Sequence, residues 1–156
     1  MPLYFAYGAN MDVQAMGARC PRSRPLGAAR LMRHRLAVMR EGWLTVVREP
    51  RGRVHGLLWE LALADVAALD RFEEVARGLY AKAVQPVVGA FGPRSALVYF
   101  GADAGPGRVE ADYIAGVLNA ARARLPREGV TALEMLAREA GVKLEAAEPR
   151  GGAPRG

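Results

Sequence analysis

Glu73 and Glu74 are adjacent carboxylates at the end of an amphipathic stretch, directly behind Phe72 and ahead of a turn at Gly78. Acidic side chains at a helix C-terminus oppose the helix dipole, so this placement carries a cost. A solvated surface pair is the plainest reading. The chemical reading is that an apolar neighbour such as Phe72 disfavours the ionised form. A carboxylate whose pKa is raised towards neutrality suits general acid–base work. A second stretch complements the first. In Tyr7-Gly8-Ala9-Asn10 an apolar run over residues 3–7 breaks at Gly8 and leads into a helix expected over residues 11–19. N–H groups are orphaned at a helix start and carry the positive end of its dipole, so this turn offers donors to a carboxylate, a phosphate or an oxyanion. Ordinary capping of the helix by Asn10 accounts for the same residues.

Other chemistries have less support. His34 and His55 lie on separate strand-like segments, and there is no HxxH, CxxC or carboxylate-rich cluster, so no metal site is expected. The segment 101–107 has Gly and Pro but lacks the Lys and Ser/Thr of a phosphate-binding loop, and no cofactor is expected. Cys20 is the single cysteine and cannot form an intrachain disulfide, in keeping with a reducing compartment. Arg19 and Arg22 beside it favour a thiolate, but no His or Asp partner marks a nucleophile, so it reads as a structural thiol. The net charge of +6 raises the question of nucleic acid. The cations are mostly scattered arginines without the aromatic interleaving that stacks bases, so specific nucleic-acid binding is not expected. The charge instead favours attraction of small anions.

These residues must be held by a single domain, since 156 residues are about one domain's worth. Strand-like runs cover residues 3–7, 35–39, 43–48, 54–61, 81–88 and 95–100. The turn-rich sequence Glu49-Pro50-Arg51-Gly52-Arg53 predicts a hairpin between the third and fourth of them. Helical periodicity follows Asn10 and recurs over residues 64–72 and 109–125, where Pro126 ends it. A fourth helix is expected over 131–140, with Thr131 and Glu134 as a capping box. Strands that do not alternate regularly with helices predict an α+β fold. The domain is expected to span residues 1–144, with a mobile tail over 145–156 that has little apolar content. No apolar run approaches the roughly 18 to 20 residues of a membrane span, and the N-terminus lacks a signal-peptide pattern. A soluble cytoplasmic protein is expected.

The run Tyr4-Phe5-Ala6-Tyr7-Gly8-Ala9-Asn10, then Leu69-Asp70-Arg71-Phe72-Glu73-Glu74-Val75 and Gly78-Leu79-Tyr80, resembles the gamma-glutamylcyclotransferase (AIG2-like) superfamily. That family carries a YGSN-type loop followed by an LDxxEGV…GxY segment. Between the two, Val54-His55-Gly56-Leu57-Leu58-Trp59 resembles its V-x-G-x-x-W strand, and the likeness runs from about Leu3 to about Leu125. The resemblance implies a small mixed β-barrel flanked by helices, with a site at the barrel mouth. It implies a cofactor-independent reaction in which the α-amine of a small gamma-glutamyl substrate attacks its own γ-carbonyl, giving 5-oxoproline and a released amine or amino acid. It assigns proton transfer to Glu73 and substrate binding to Tyr7, Gly8, Ala9, Asn10, Tyr80 and Tyr113. Two departures stand beside these residues: Ala9 replaces the usual Ser, and Glu74 the usual Gly. A non-catalytic member of the same fold that binds a small anion is the alternative. The leaving group and the oligomeric state are not legible.

Overall fold

Runs of β-branched, aromatic and leucine side chains with one buried face form five strands in the computed structural model, which describes residues 2–144. They are β1 (Leu3–Ala6), β2 (Arg24–Val38), β3 (Leu44–Glu60), β4 (Tyr80–Gly89) and β5 (Gly92–Gly101). The strands close into a barrel in the order β1-β3-β2-β4-β5. Neighbours are antiparallel except at the closure, where β1 meets β5 in parallel at Tyr4 and Leu97. Helices α1 (Val13–Arg19), α2 (Val66–Phe72), α3 (Ala111–Arg124) and α4 (Arg127–Glu139) flank it. The small mixed barrel with helices is the α+β architecture expected. The tail expected over 145–156 lies outside the described residues. No described helix is long and apolar enough to cross a membrane.

The core packed within and around the barrel includes Phe5, Leu31, Leu57, Leu58, Val87 and Val98, all buried. Gly56 is required where β1 and β3 meet, because a Cβ there would sit 2.4 Å from the Ala6 carbonyl oxygen and 2.6 Å from the Phe5 ring. That contact gives the glycine of the V-x-G segment a packing reason.

The hairpin expected between 43–48 and 54–61 does not form. Both segments belong to β3, which pairs along its length with β2 from Val38↔Leu44 to Arg24↔Glu60. The turn-forming residues at 49–52 make a bulge instead, and the register steps from His34↔Arg48 to Met32↔Arg53. Opposite them Arg33 adopts φ 61°. Pro50 and Arg51 are exposed on the bulge, where a missing ladder N–H costs little. The true hairpin joins β2 to β3 through Gly42, at φ 93°.

Two helix starts also shift. Ala9–Met11 forms a short 3₁₀ turn, and α1 begins after it with Asp12 as cap, accepting from the N–H groups of Gln14 (3.0 Å) and Ala15 (3.1 Å). Helix α4 begins at Arg127 behind Pro126, so Thr131 and Glu134 lie within it and form no capping box. A proline fits just before a helix because no N–H is needed there.

Candidate active site

The end of β1 leads into the Gly8 turn, the C-terminus of α2 faces it, and β4 and α3 complete a cavity of about 330 Å³. Tyr7, Gly8, Ala9, Asn10, Glu73, Tyr80 and Tyr113 all line this one cavity. Tyr4, Trp43, Phe72 and Tyr99 line it as well.

The turn closes on itself, with Met11 N–H donating to the Gly8 carbonyl (3.1 Å) and Asp12 N–H to that of Ala9 (3.2 Å). The N–H groups of Gly8, Ala9 and Asn10 precede these bonds and make none of their own among the described residues. They are the donors that the strand-turn-helix pattern predicts. At Gly8 a Cβ would lie 3.3 Å from the Tyr113 hydroxyl, so the absent side chain lets that hydroxyl approach the turn.

Asn10 does not cap the helix. It is buried, and its amide nitrogen donates to the Tyr4 hydroxyl (2.9 Å) and to Glu73 Oε1 (3.2 Å). Its amide oxygen accepts from the Arg19 guanidinium, and its backbone carbonyl accepts from Trp59 Nε1 (3.1 Å). With Asp12 serving as the cap, the Asn10 side chain is free to reach across the cavity wall.

The two adjacent carboxylates have opposite surroundings. Glu73 closes α2, its N–H bonded to the Leu69 carbonyl (3.0 Å). Its carboxyl is pushed up to about 7 by burial, against a smaller downward pull from the Arg19 charge. Glu74 takes a left-handed conformation, φ 51° and ψ 44°. This is a backbone shape that glycine adopts without strain, which explains why a glycine suits this position. Its exposed carboxylate is held by Arg77 at 3.1 Å, and Arg77 also reaches Glu41 at 3.3 Å.

Four tyrosine hydroxyls have defined roles. Tyr80 donates to the Leu44 carbonyl (2.6 Å), Tyr7 to that of Tyr99 (2.5 Å), and Tyr99 to Asp70 Oδ1 (2.6 Å). Tyr113 instead accepts from the Leu44 N–H (3.3 Å), which leaves its own proton for the cavity. Burial pushes the Tyr113 hydroxyl up to about 12, with the Leu44 bond pulling down and the Glu73 charge pushing up. It is therefore a neutral donor at physiological pH. Burial likewise pushes the Cys20 thiol up, so the flanking arginines do not yield a thiolate.

Tyr4, Tyr99 and Arg19 are the members that sequence reasoning missed. Tyr4 and Tyr99 meet edge to face, ring centroids 5.7 Å apart, across the parallel closure of β1 on β5. No local pattern announces a closure between strands so distant in sequence. Arg19 stood only as a neighbour of Cys20, and its guanidinium reveals its direction by lying 3.4 Å from the centre of the Phe72 ring.

A closed mixed barrel thus sets a half-buried carboxyl against a donor-bearing turn around one cavity. The family model described as "Gamma-glutamyl cyclotransferase, AIG2-like" matches residues 4–115, and the chain belongs to that family. Comparison with the curated proteins gives no match. Among solved structures, one titled "Gamma-glutamyl cyclotransferase" is similar at 23% identity and TM-score 0.79, covering 85% of this chain and 86% of that one. An uncharacterized protein from Homo sapiens is similar at 24% identity and TM-score 0.78, with 85% of each chain covered. YkqA from Bacillus subtilis matches at 20% identity and TM-score 0.75, over 90% of this chain and 54% of that one. These likenesses establish the fold.

Proposed function

We propose that this chain is a gamma-glutamylcyclotransferase-type enzyme acting on a small gamma-glutamyl compound. The observation that carries the reading is that Glu73 and the Gly8 turn, whose N–H groups have no partner among the described residues, line one cavity, with the Asn10 amide 3.2 Å from Glu73 joining them.

The substrate α-ammonium gives a proton to Glu73, and the freed amine attacks the γ-carbonyl to close a five-membered lactam. The attacking nitrogen sheds its second proton as the carbon–nitrogen bond to the leaving group breaks, and Glu73 relays both protons in turn to the departing nitrogen, leaving a neutral lactam N–H and a released ammonium. Atoms and charge balance without a co-reactant. A carboxyl with a pKa of about 7 accepts and returns a proton with little driving force lost either way. Because nucleophile and electrophile belong to one molecule, the cavity has only to hold the folded conformer, and effective molarity supplies much of the rate. The N–H groups of Gly8, Ala9 and Asn10 receive the substrate carboxylate or the developing oxyanion, with the Tyr113 proton as a further donor. Since backbone groups do this, Ala9 in place of Ser leaves the donors in place.

Incubation with a panel of gamma-glutamyl dipeptides, gamma-glutamylamines and glutathione, with detection of 5-oxoproline, tests the proposal. Formation of 5-oxoproline with a stoichiometric amine is expected from at least one class. Tight binding of these compounds without any product would favour a non-catalytic binder of the same fold.

A further inference from the structure

We propose that Arg19 is a positioning residue of this site: it fixes the Asn10 amide so that its nitrogen, and not its oxygen, faces Glu73. The inference rests on the reading that Glu73 moves protons, and it adds a residue that does not itself line the cavity.

A primary amide can be seated two ways, with oxygen and nitrogen exchanged. Asn10 is buried, so the choice cannot be averaged by water. An arginine has donors only and a carboxylate has acceptors only. The Arg19 guanidinium therefore claims the amide oxygen, and both amide protons are left to point at Tyr4 and Glu73. Reversal would set NH₂ against guanidinium in either protonation state of Glu73, and oxygen against carboxylate whenever Glu73 is ionised, repulsive contacts in place of bonds.

Arg19 is itself held. It is the last residue of α1, and its guanidinium stacks on Phe72, the chain neighbour of Glu73. One planar cation thus touches the residue that contacts the carboxyl and the residue that precedes it. A lysine would keep the charge without the planar stack or the forked donors.

The titratable groups around Glu73 are Tyr4 and Tyr7 from the β1 end, Tyr80 from β4, Tyr99 from β5, Tyr113 from α3, and Arg19 from α1. Burial pushes all five tyrosines upwards, so they stay neutral; Glu74, the next residue, also lines the cavity but its carboxylate is paired with Arg77, and the charge that acts on Glu73 is that of Arg19. Loss of Arg19 removes that charge and frees the amide together. Both changes disfavour the ionised carboxylate.

The test combines a measurement that needs no turnover with one that does. Carbon-13 titration of the Glu73 carboxyl and nitrogen-15 exchange of the Asn10 side-chain amide are followed in the parent, Arg19→Met, Arg19→Lys and Phe72→Leu. In Arg19→Met the Glu73 midpoint should move to higher pH and Asn10 amide protection should fall at least tenfold. Arg19→Lys and Phe72→Leu should move the same way by less, and either decides the matter if Arg19→Met does not fold. In parallel, the acidic limb of kcat/KM for 5-oxoproline formation should move upward with the titration, with kcat falling about 10- to 100-fold and KM changing less. An unchanged Glu73 midpoint and unchanged Asn10 exchange in folded variants would overturn the role of Arg19. A parent that forms no 5-oxoproline from any compound would overturn the functional reading, and the spectra would still decide for or against Arg19.

Discussion

Asn10 Nδ2 lies 3.2 Å from Glu73 Oε1, a contact made across 63 positions of chain. It joins the Gly8 turn to the end of α2, and each segment supplies what the other lacks: neutral donors on one side, a titrating carboxyl on the other. The contact also ties the protonation state of Glu73 to the order of the turn.

Glu73→Gln keeps the shape and loses the proton exchange. Turnover should fall by about two to four powers of ten with the fold intact. Stability should respond with a definite sign. Because the folded carboxyl is raised from 4.5 to about 7, the native state holds a proton that the unfolded state has released between those values. Glu73 therefore weakens the fold progressively as pH rises from about 4.5 to about 7, by up to roughly 3 kcal/mol. Denaturant unfolding should find Glu73→Gln close to the parent near pH 4 and more stable than it at pH 8. Equal stability at both pH values would mean that burial does not raise this carboxyl.

Glu74→Gln should leave turnover within a factor of about two of the parent, because the carboxylate it alters is paired with Arg77 outside the proton path. Glu74→Gly relieves a left-handed strain of about 1 to 2 kcal/mol. It also removes an exposed ion pair worth about 0 to 1 kcal/mol and adds unfolded-chain freedom of about 0.4 to 1 kcal/mol. The net change in unfolding free energy should fall within about 1 kcal/mol of zero. Loss of turnover in Glu74→Gln with full activity in Glu73→Gln would exchange the two roles.

Ala9→Ser restores the hydroxyl usual in the family. If it meets substrate it adds about 0.5 to 1.5 kcal/mol, read as a gain of about threefold to tenfold in kcat/KM. A gain of many powers of ten would instead show that the backbone donors are insufficient by themselves.

Asp12→Ala and Asn10→Ala separate capping from chemistry. The first removes both cap bonds of α1 and should lower stability by about 0.5 to 2 kcal/mol while leaving the pH profile of kcat/KM where it is. The second breaks the contact to Glu73 and should move the acidic limb to higher pH. Similar pH profiles in both variants would return Asn10 to a structural role.

The candidate site was more legible than the frame that carries it. Six of the seven expected residues came from two motifs and Tyr113 from likeness to a family tyrosine on the long helix, and all seven line one cavity; strand end, turn and helix end are local features that sequence displays directly. The bulge at Glu49-Pro50-Arg51-Gly52 misled because turn chemistry reports a break in regular backbone and does not say whether the chain reverses or continues. The first half of β2 was missed since Gly27, Ala28 and Ala29 have weak strand preference, and pairing with β3 decides their conformation. Asn10 and Asp12 both suit a cap, and the three-residue 3₁₀ turn Ala9–Met11 decides between them. Arg19 and Tyr99 became visible only with tertiary contacts.

Leu44, the first residue of β3, has its N–H bound to Tyr113 and its carbonyl bound to Tyr80. The tip of the β2–β3 hairpin is thereby bolted to the cavity wall by its peptide groups, whatever side chain stands at position 44. Trp43 rides on that tip, with its ring 5.0 Å from that of Tyr113. Lengthening or exchanging residues at the tip would reshape the entrance while the carboxyl on α2 stayed where it is. Under the proposed activity, the wall that would meet the leaving group and the carboxyl that would move protons thus sit on separately replaceable parts of the chain, so drift in a single hairpin would change the first without disturbing the second.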